Sequence, residues 1–201
     1  MSSPRLRSHL VALCAATVVS LAGAAPAAAH PSAPVQAASV APGLAPLTDL
    51  FTERLLLADK VAAAKYGTDK PIDDPVREQQ ILADVGARAT GLGLDAGEVR
   101  SVFRDQIEAN KLVQRALYAR WDAHPGERPT ERPDLVKEVR PELDRITTEL
   151  LDALVRTQRL RAAPSCGPLL GVAAARSAYG HGLDSPHAAG LVRALPSVCA
   201  G

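Results

Sequence analysis

Between Leu47 and Tyr66, a step of about 100° per residue gathers Leu50, Phe51, Leu57, Ala58 and Val61 on one side of a helix. Two cations, Arg54 and Lys65, project from that same side, eleven residues or about three turns apart. Asp49, Glu53 and Lys60 point away from it, where charges normally belong. A charge on a core face is costly unless something pairs with it. No acidic residue shares this stripe. The pattern therefore asks for an anion that the helix itself does not supply.

The remaining periodicity is helical too, and the expected class is all-α. The first helix spans about 46–66. Asp74-Pro75 supplies an N-cap followed by proline at the first helical position, opening a second helix that runs to about Thr90 before Gly91 and Gly93 break it. Asp95 with Glu98 three residues on starts a third helix reaching about Asp122. Three prolines and a glycine between His124 and Pro133 read as a surface loop. Asp134 can cap a fourth long helix to Arg161, in which Pro141 either makes a kink or marks the true first turn. Two short helices, about 166–178 and 185–195, form a tail. No strand period, nucleotide-binding glycine loop or internal repeat stands out.

Other polar residues break the apolar stripes. On the third helix Gln106, Asn110 and Gln114, at i, i+4 and i+8, fall among Val99, Val102, Phe103, Val113, Leu117 and Trp121. A buried amide without partners costs about 1–3 kcal/mol per unsatisfied group. On the second helix Glu78 lies beside Ile81, Leu82 and Val85, with Arg77 at the edge; on the fourth, Arg140 flanks Val139, Leu143 and Ile146. Each has an ordinary reading. Glu78 can be a carboxylate favoured by the helix dipole, Arg140 a snorkelling side chain, and one cation of the first helix can pair internally with Glu78. Together they describe a polar pocket in a helical bundle, rich in cations and suited to a small dianion, because guanidinium forks match carboxylates. The histidines fall in the N-terminal segment, loops or the tail, so imidazole chemistry is not expected.

Composition changes this picture in three ways. Arg5, Arg7 and His9 precede an apolar run from Leu10 to about Ala25 and an Ala27-Ala28-Ala29 site, which reads as a signal peptide over 1–29. Segment 30–45, rich in Pro, Ala and Ser, reads as a disordered leader, leaving a domain over 46–201. Cys14 leaves with the signal, and the even count that remains, Cys166 and Cys199, argues for one disulfide in an exported protein. Without Arg5 and Arg7, the 23 basic residues fall to 21 against 22 acidic ones. That balance gives no case for nucleic acid or an anionic membrane surface.

The order Arg54, Lys65, then Pro71-Ile72-Asp73-Asp74-Pro75-Val76-Arg77-Glu78 resembles the AroQ-type chorismate mutases. Asp105-Gln106-Ile107 with Asn110 and Gln114, then Arg140, and the Pro164-Ser165-Cys166 tail with Cys199, resemble the secreted (gamma) subclass of actinobacteria such as mycobacteria. The likeness covers residues 46 to 199. It implies a helical bundle of long helices with a disulfide-pinned C-terminal tail, and conversion of chorismate to prephenate by a Claisen rearrangement, in the branch leading to aromatic amino acids. It implies no cofactor and no metal. Arg54, Arg77 and Arg140 would hold the substrate carboxylates, while Lys65 and Gln114 would donate to the ether oxygen. Glu78 would accept from the ring hydroxyl, and Asp74 lies where the second helix closes the site. Asn110 stands where the family uses a small hydroxyl residue. Arg140 comes from the same chain, so one chain could complete its site and still form a homodimer through an outer face. Two other readings stay open: an isochorismate–pyruvate lyase of the same fold, and a non-catalytic exported helical binding module.

Overall fold

A computed structural model of the protein describes residues 43–199. The expected signal peptide and nearly all of the leader lie outside the described residues. Among the described residues there are six α-helices: α1 (Ala45–Lys65), α2 (Pro75–Gly91), α3 (Ala96–Ala123), α4 (Arg140–Arg161), α5 (Cys166–Gly180) and α6 (Ser185–Arg193). Among the described residues there is no strand, as the periodicity predicts.

Local chemistry sets the helix boundaries. The Asp74 carboxylate accepts from the Arg77 amide at 3.0 Å, and Glu78 accepts in return from the Asp74 amide at 3.3 Å. At the start of α3 the Asp95 carboxylate takes the Glu98 amide at 2.7 Å. Gly93, at φ 72°, supplies the left-handed residue that ends α2. Pro141 marks the true first turn of α4, one of the two outcomes expected of it, but a turn of another kind precedes it. Asp134 accepts from the Val136 and Lys137 amides at 2.8 and 3.1 Å, and a π-helical turn, Leu135–Val139, follows before α4 proper. Proline has no N–H for the carbonyl four residues back. The widened turn bonds instead to carbonyls five back, Val139 to Asp134 and Arg140 to Leu135, and delivers Pro141 to the first turn of α4.

Helix α1 is the axis of the bundle, packed against α3, α4, α5 and α6, while α2 lies mainly on α3. Leu47 and Phe51 of α1, Phe103 and Val113 of α3, and Ile146, Leu150 and Leu154 of α4 are almost wholly excluded from solvent and form the centre of the core. Glu53, expected to face water, reaches Arg145 of α4 at 3.0 Å, because α4 covers the flank of α1.

The tail is tied down polar group by polar group. Cys166 and Cys199 are disulfide-bonded. Asp105 holds Arg193 at 2.6 Å and the Ser197 amide at 3.0 Å, and Arg161 donates to the Val198 carbonyl at 3.3 Å. His187 is buried in the first turn of α6 with Nε2 3.2 Å from Asp59 and Nδ1 2.5 Å from Asp184. Asp59, and then Asp184, raise its pKa to about 9, so it is an imidazolium at neutral pH. Gly190 lets α6 approach α1 and α3. A Cβ there would sit 2.8 Å from Val113 Cγ2 and 3.0 Å from Leu55 Cδ1, both on buried residues. Gly190→Ala should lower stability by about 1–3 kcal/mol through overpacking, despite the better helix propensity of alanine. Thermal unfolding checks this, with a Tm about 2–10 °C lower expected.

Candidate active site

Helices α1 to α4 line a cavity of about 920 Å³ that opens to solvent. Its wall includes Arg54, Val61 and Lys65 from α1 and Lys70 to Ile72 from the following loop. Asp74, Arg77, Glu78, Ile81 and Val85 enter from the start of α2 and its inner face. Asn110, Lys111 and Gln114 come from α3, and Val139, Arg140, Leu143, Asp144 and Thr147 from the π turn and α4. All eight residues that the sequence nominated for substrate binding therefore meet in one cavity, on four helices of one chain.

The two cations of α1 sit differently. Arg54 is 6 % exposed, with its guanidinium 5.8 Å from the Phe103 ring centroid and one hydrogen bond, to Thr147 Oγ1, at a long 3.4 Å. Burial lowers its pKa to about 10, while Asp144 pulls the other way, so it stays charged at neutral pH. Lys65 is half-buried and donates to the Pro71 carbonyl at 2.9 Å, closing the loop between α1 and α2 over itself. Burial lowers its pKa as well, opposed by Asp74, Glu78 and Asp73. At the same end of the bundle Tyr66 packs edge-on to Tyr118 and Trp121, each pair of ring centroids 5.1 Å apart, and this fixes the C-terminus of α1 that carries Lys65.

The amides of α3 divide. Gln106 lines the cavity, but its Nε2 donates to the Ala194 carbonyl at 3.2 Å, so it ties α3 to the tail instead of serving as a third ligand amide. Gln114 Nε2 donates to Asn110 Oδ1 at 2.7 Å, and Asn110 Nδ2 reaches the Arg54 carbonyl at 3.4 Å. Gln114 Oε1 is buried with no hydrogen-bond partner. Glu78 sits at the N-terminus of α2, as its helix-dipole reading expects, but it does not pair with Arg54 or Lys65. Both its oxygens accept from Lys111, at 3.2 and 3.3 Å. Arg77 and Arg140 remain exposed at the cavity wall, Arg77 contacting Gln80 at 3.4 Å.

Residues 45–115, the stretch that holds α1, α2 and most of the amide helix, match the family described as chorismate mutase type II. The chain is 37 % identical over 156 residues to a secreted chorismate mutase of Mycolicibacterium smegmatis, covering 78 % of this chain and 86 % of that protein. It is 35 % identical over 156 residues to a secreted chorismate mutase of Mycobacterium tuberculosis, covering 78 % of each. The chain belongs to the type II chorismate mutase family. Its fold agrees: the crystal structure of a chorismate mutase from Burkholderia phymatum superposes with a TM-score of 0.75 at 35 % identity, over 79 % of this chain and 96 % of that one.

Within this chorismate mutase chain, three polar residues of the cavity wall escape a reading of helix stripes. Lys111 lies beside Asn110 on α3, and its partners are brought in by folding from α2 and the preceding loop. Asp144 faces Arg54 from α4 and is the acid that the stripe of α1 lacks. Thr147 holds the Arg54 fork. A fourth such residue, Arg88, reaches across to Thr148 of α4 at 2.8 Å. Only the i+3 contact of Lys111 with Glu108, at 2.5 Å, is local enough to be read from the sequence. No helix among the described residues is long and apolar enough to cross a membrane.

Proposed function

We infer that this protein is a chorismate mutase that turns chorismate into prephenate inside the cavity of α1 to α4. The reaction is an isomerisation: the ether C–O bond breaks as a C–C bond forms, and no proton or electron enters or leaves. A protein accelerates such a step by holding the compact chair-like conformer and by meeting charge that grows on the ether oxygen. The observation that carries the reading is the convergence of Arg54, Lys65, Arg77 and Arg140 with Asn110 and Gln114 on one cavity.

Each residue has a task in this scheme. Arg54, Arg77 and Arg140 grip the two carboxylates. Glu78 accepts from the ring hydroxyl, and Asp74 caps the helix that presents it. Lys65 leaves the Pro71 carbonyl and donates to the ether oxygen, whose negative charge is largest in the transition state, so the new bond lowers the barrier more than it tightens binding. Gln114 is the second donor. Turning both amides by 180° keeps the hydrogen bond between Asn110 and Gln114, gives the orphaned Oε1 a donor and aims Nε2 at the ligand. The contact given up is the long one to the Arg54 carbonyl.

A neutral amide donates at every pH, so activity should stay nearly flat from about pH 5 to 8 and fall in alkali as Lys65, its pKa lowered by burial, loses its proton. In Gln114→Glu the new carboxyl is buried and must carry a proton to donate. Its kcat/KM should rise steadily as pH drops from 8 to 5. A flat profile in that variant, measured beside its circular dichroism spectrum, would remove Gln114 from the mechanism.

The relatives named secreted and the N-terminal pattern together support export through a signal peptide cleaved after Ala29. Product analysis of the purified mature chain separates the rival chemistries. Prephenate from chorismate is expected, with no release of pyruvate from chorismate or isochorismate; pyruvate and salicylate from isochorismate would favour the lyase. Binding of chorismate without turnover would favour a carrier.

A further inference from the structure

Lys111 is buried in the wall of the cavity, yet nothing in the chemistry above employs it. An ammonium has three N–H donors and no acceptor. Here Glu78 accepts on both oxygens at 3.2 and 3.3 Å, while Glu108 at 2.5 Å and Asp73 at 3.2 Å pair with the same nitrogen as ions. A cation so neutralised is a poor partner for a substrate carboxylate, which separates it from Arg54. Burial alone would make it easier to deprotonate, but its three acids outweigh burial and raise its pKa, so it is charged at neutral pH.

The three partners differ in what they do for the site. Glu108 is one turn away on α3 and neutralises the lysine locally, without reaching α2. Asp73 belongs to the loop before α2 and is held a second time by Arg115 at 2.7 Å. Glu78 belongs to the first turn of α2 and has both its oxygens within 3.3 Å of the same nitrogen. Lys111 therefore joins the N-terminus of α2 to α3 at the point where Asp74, Arg77 and Glu78 face Asn110 and Gln114.

We propose that Lys111 is a positioning residue of the mutase: it holds the Glu78 carboxylate aimed into the cavity, and acts on the reaction through Glu78. The inference rests on Glu78 touching substrate. Without Lys111, Glu78 would swing toward solvent or bond to its own helix N-terminus, where it already accepts from the Asp74 amide.

A double-mutant cycle on kcat/KM tests this. Glu78→Gln and Lys111→Met should each lower kcat/KM by about 10- to 100-fold, and the double variant should lie within about 3-fold of Glu78→Gln alone. Multiplying losses in the double variant would overturn the proposal, since Lys111 would then act by another route. A Glu78→Gln variant with wild-type kinetics would overturn the assignment of Glu78 itself, a different failure. Glu108→Gln removes a partner of Lys111 while leaving its bond to Glu78, and should keep kcat/KM within about 3-fold of wild type. Should Lys111→Met fail to fold, Lys111→Gln, which keeps a donor but no charge, takes its place in the same cycle with the same two outcomes.

Discussion

Lys65→Ala should lower kcat by at least about 10³-fold while KM changes by less than about 10-fold. Loss of one preorganised neutral donor to a developing oxyanion costs about 2.7–4 kcal/mol, and charge-assisted donors are roughly twice as strong. The ammonium sits between a buried stem and the acids Asp73, Asp74 and Glu78, which keep it charged while burial opposes that charge. Its bond to the Pro71 carbonyl keeps it hydrogen-bonded in the free protein, so its removal also frees the loop between α1 and α2. That loosening acts on KM and remains the smaller term, because Arg115 and Lys111 hold the loop independently through Asp73. Steady-state kinetics with chorismate read both terms. A loss confined to KM would mean that Lys65 binds substrate and transition state alike, contrary to its assigned task.

Arg54→Met should have the second largest effect, and a signature of its own. Removing a buried carboxylate partner costs about 2–5 kcal/mol in the complex, so kcat/KM should fall by about 30- to 3000-fold, with KM rising at least as much as kcat falls. In the free protein the change runs the other way. Arg54 is desolvated, its pKa drawn down to about 10, and its side-chain hydrogen bond among the described residues is the long one to Thr147. Replacing a poorly compensated buried charge with an apolar side chain of similar length is neutral or stabilising. Tm should hold or rise, while a fall of more than about 5 °C would show that the guanidinium supports the fold.

The parts of this protein that follow from local rules are legible in its sequence. Helix starts at Asp74 and Asp95 are set by carboxylates three residues from the amides they cap, and Arg54, Lys65, Asn110 and Gln114 stand out because each interrupts a stripe of period 3.6. What the sequence hides is long-range. Gln106 has the same spacing as Asn110 and Gln114, but its partner is a carbonyl 88 residues away, and no periodicity places the tail against α3. Glu78 reads only as a helix-end carboxylate or a partner for the cations of α1 until α2 is laid on α3 and Lys111 arrives from 33 residues on. Pro141 shows a third kind of gap: helix rules offered a kink or a first turn, and the chain uses a π turn that reconciles Asp134 as a cap with proline in the first turn of α4.

A structure of the domain with a stable bicyclic ether dicarboxylate, shaped like the chair transition state, tests this reading at the level of atoms. The ether oxygen should lie about 2.7–3.2 Å from both Lys65 Nζ and Gln114 Nε2. The carboxylates should rest on Arg54, Arg77 and Arg140 of a single chain, with the hydroxyl on Glu78 and Glu78 still on Lys111. A ligand bound outside this cavity, or one inside it with Lys65 still on the Pro71 carbonyl, would contradict it.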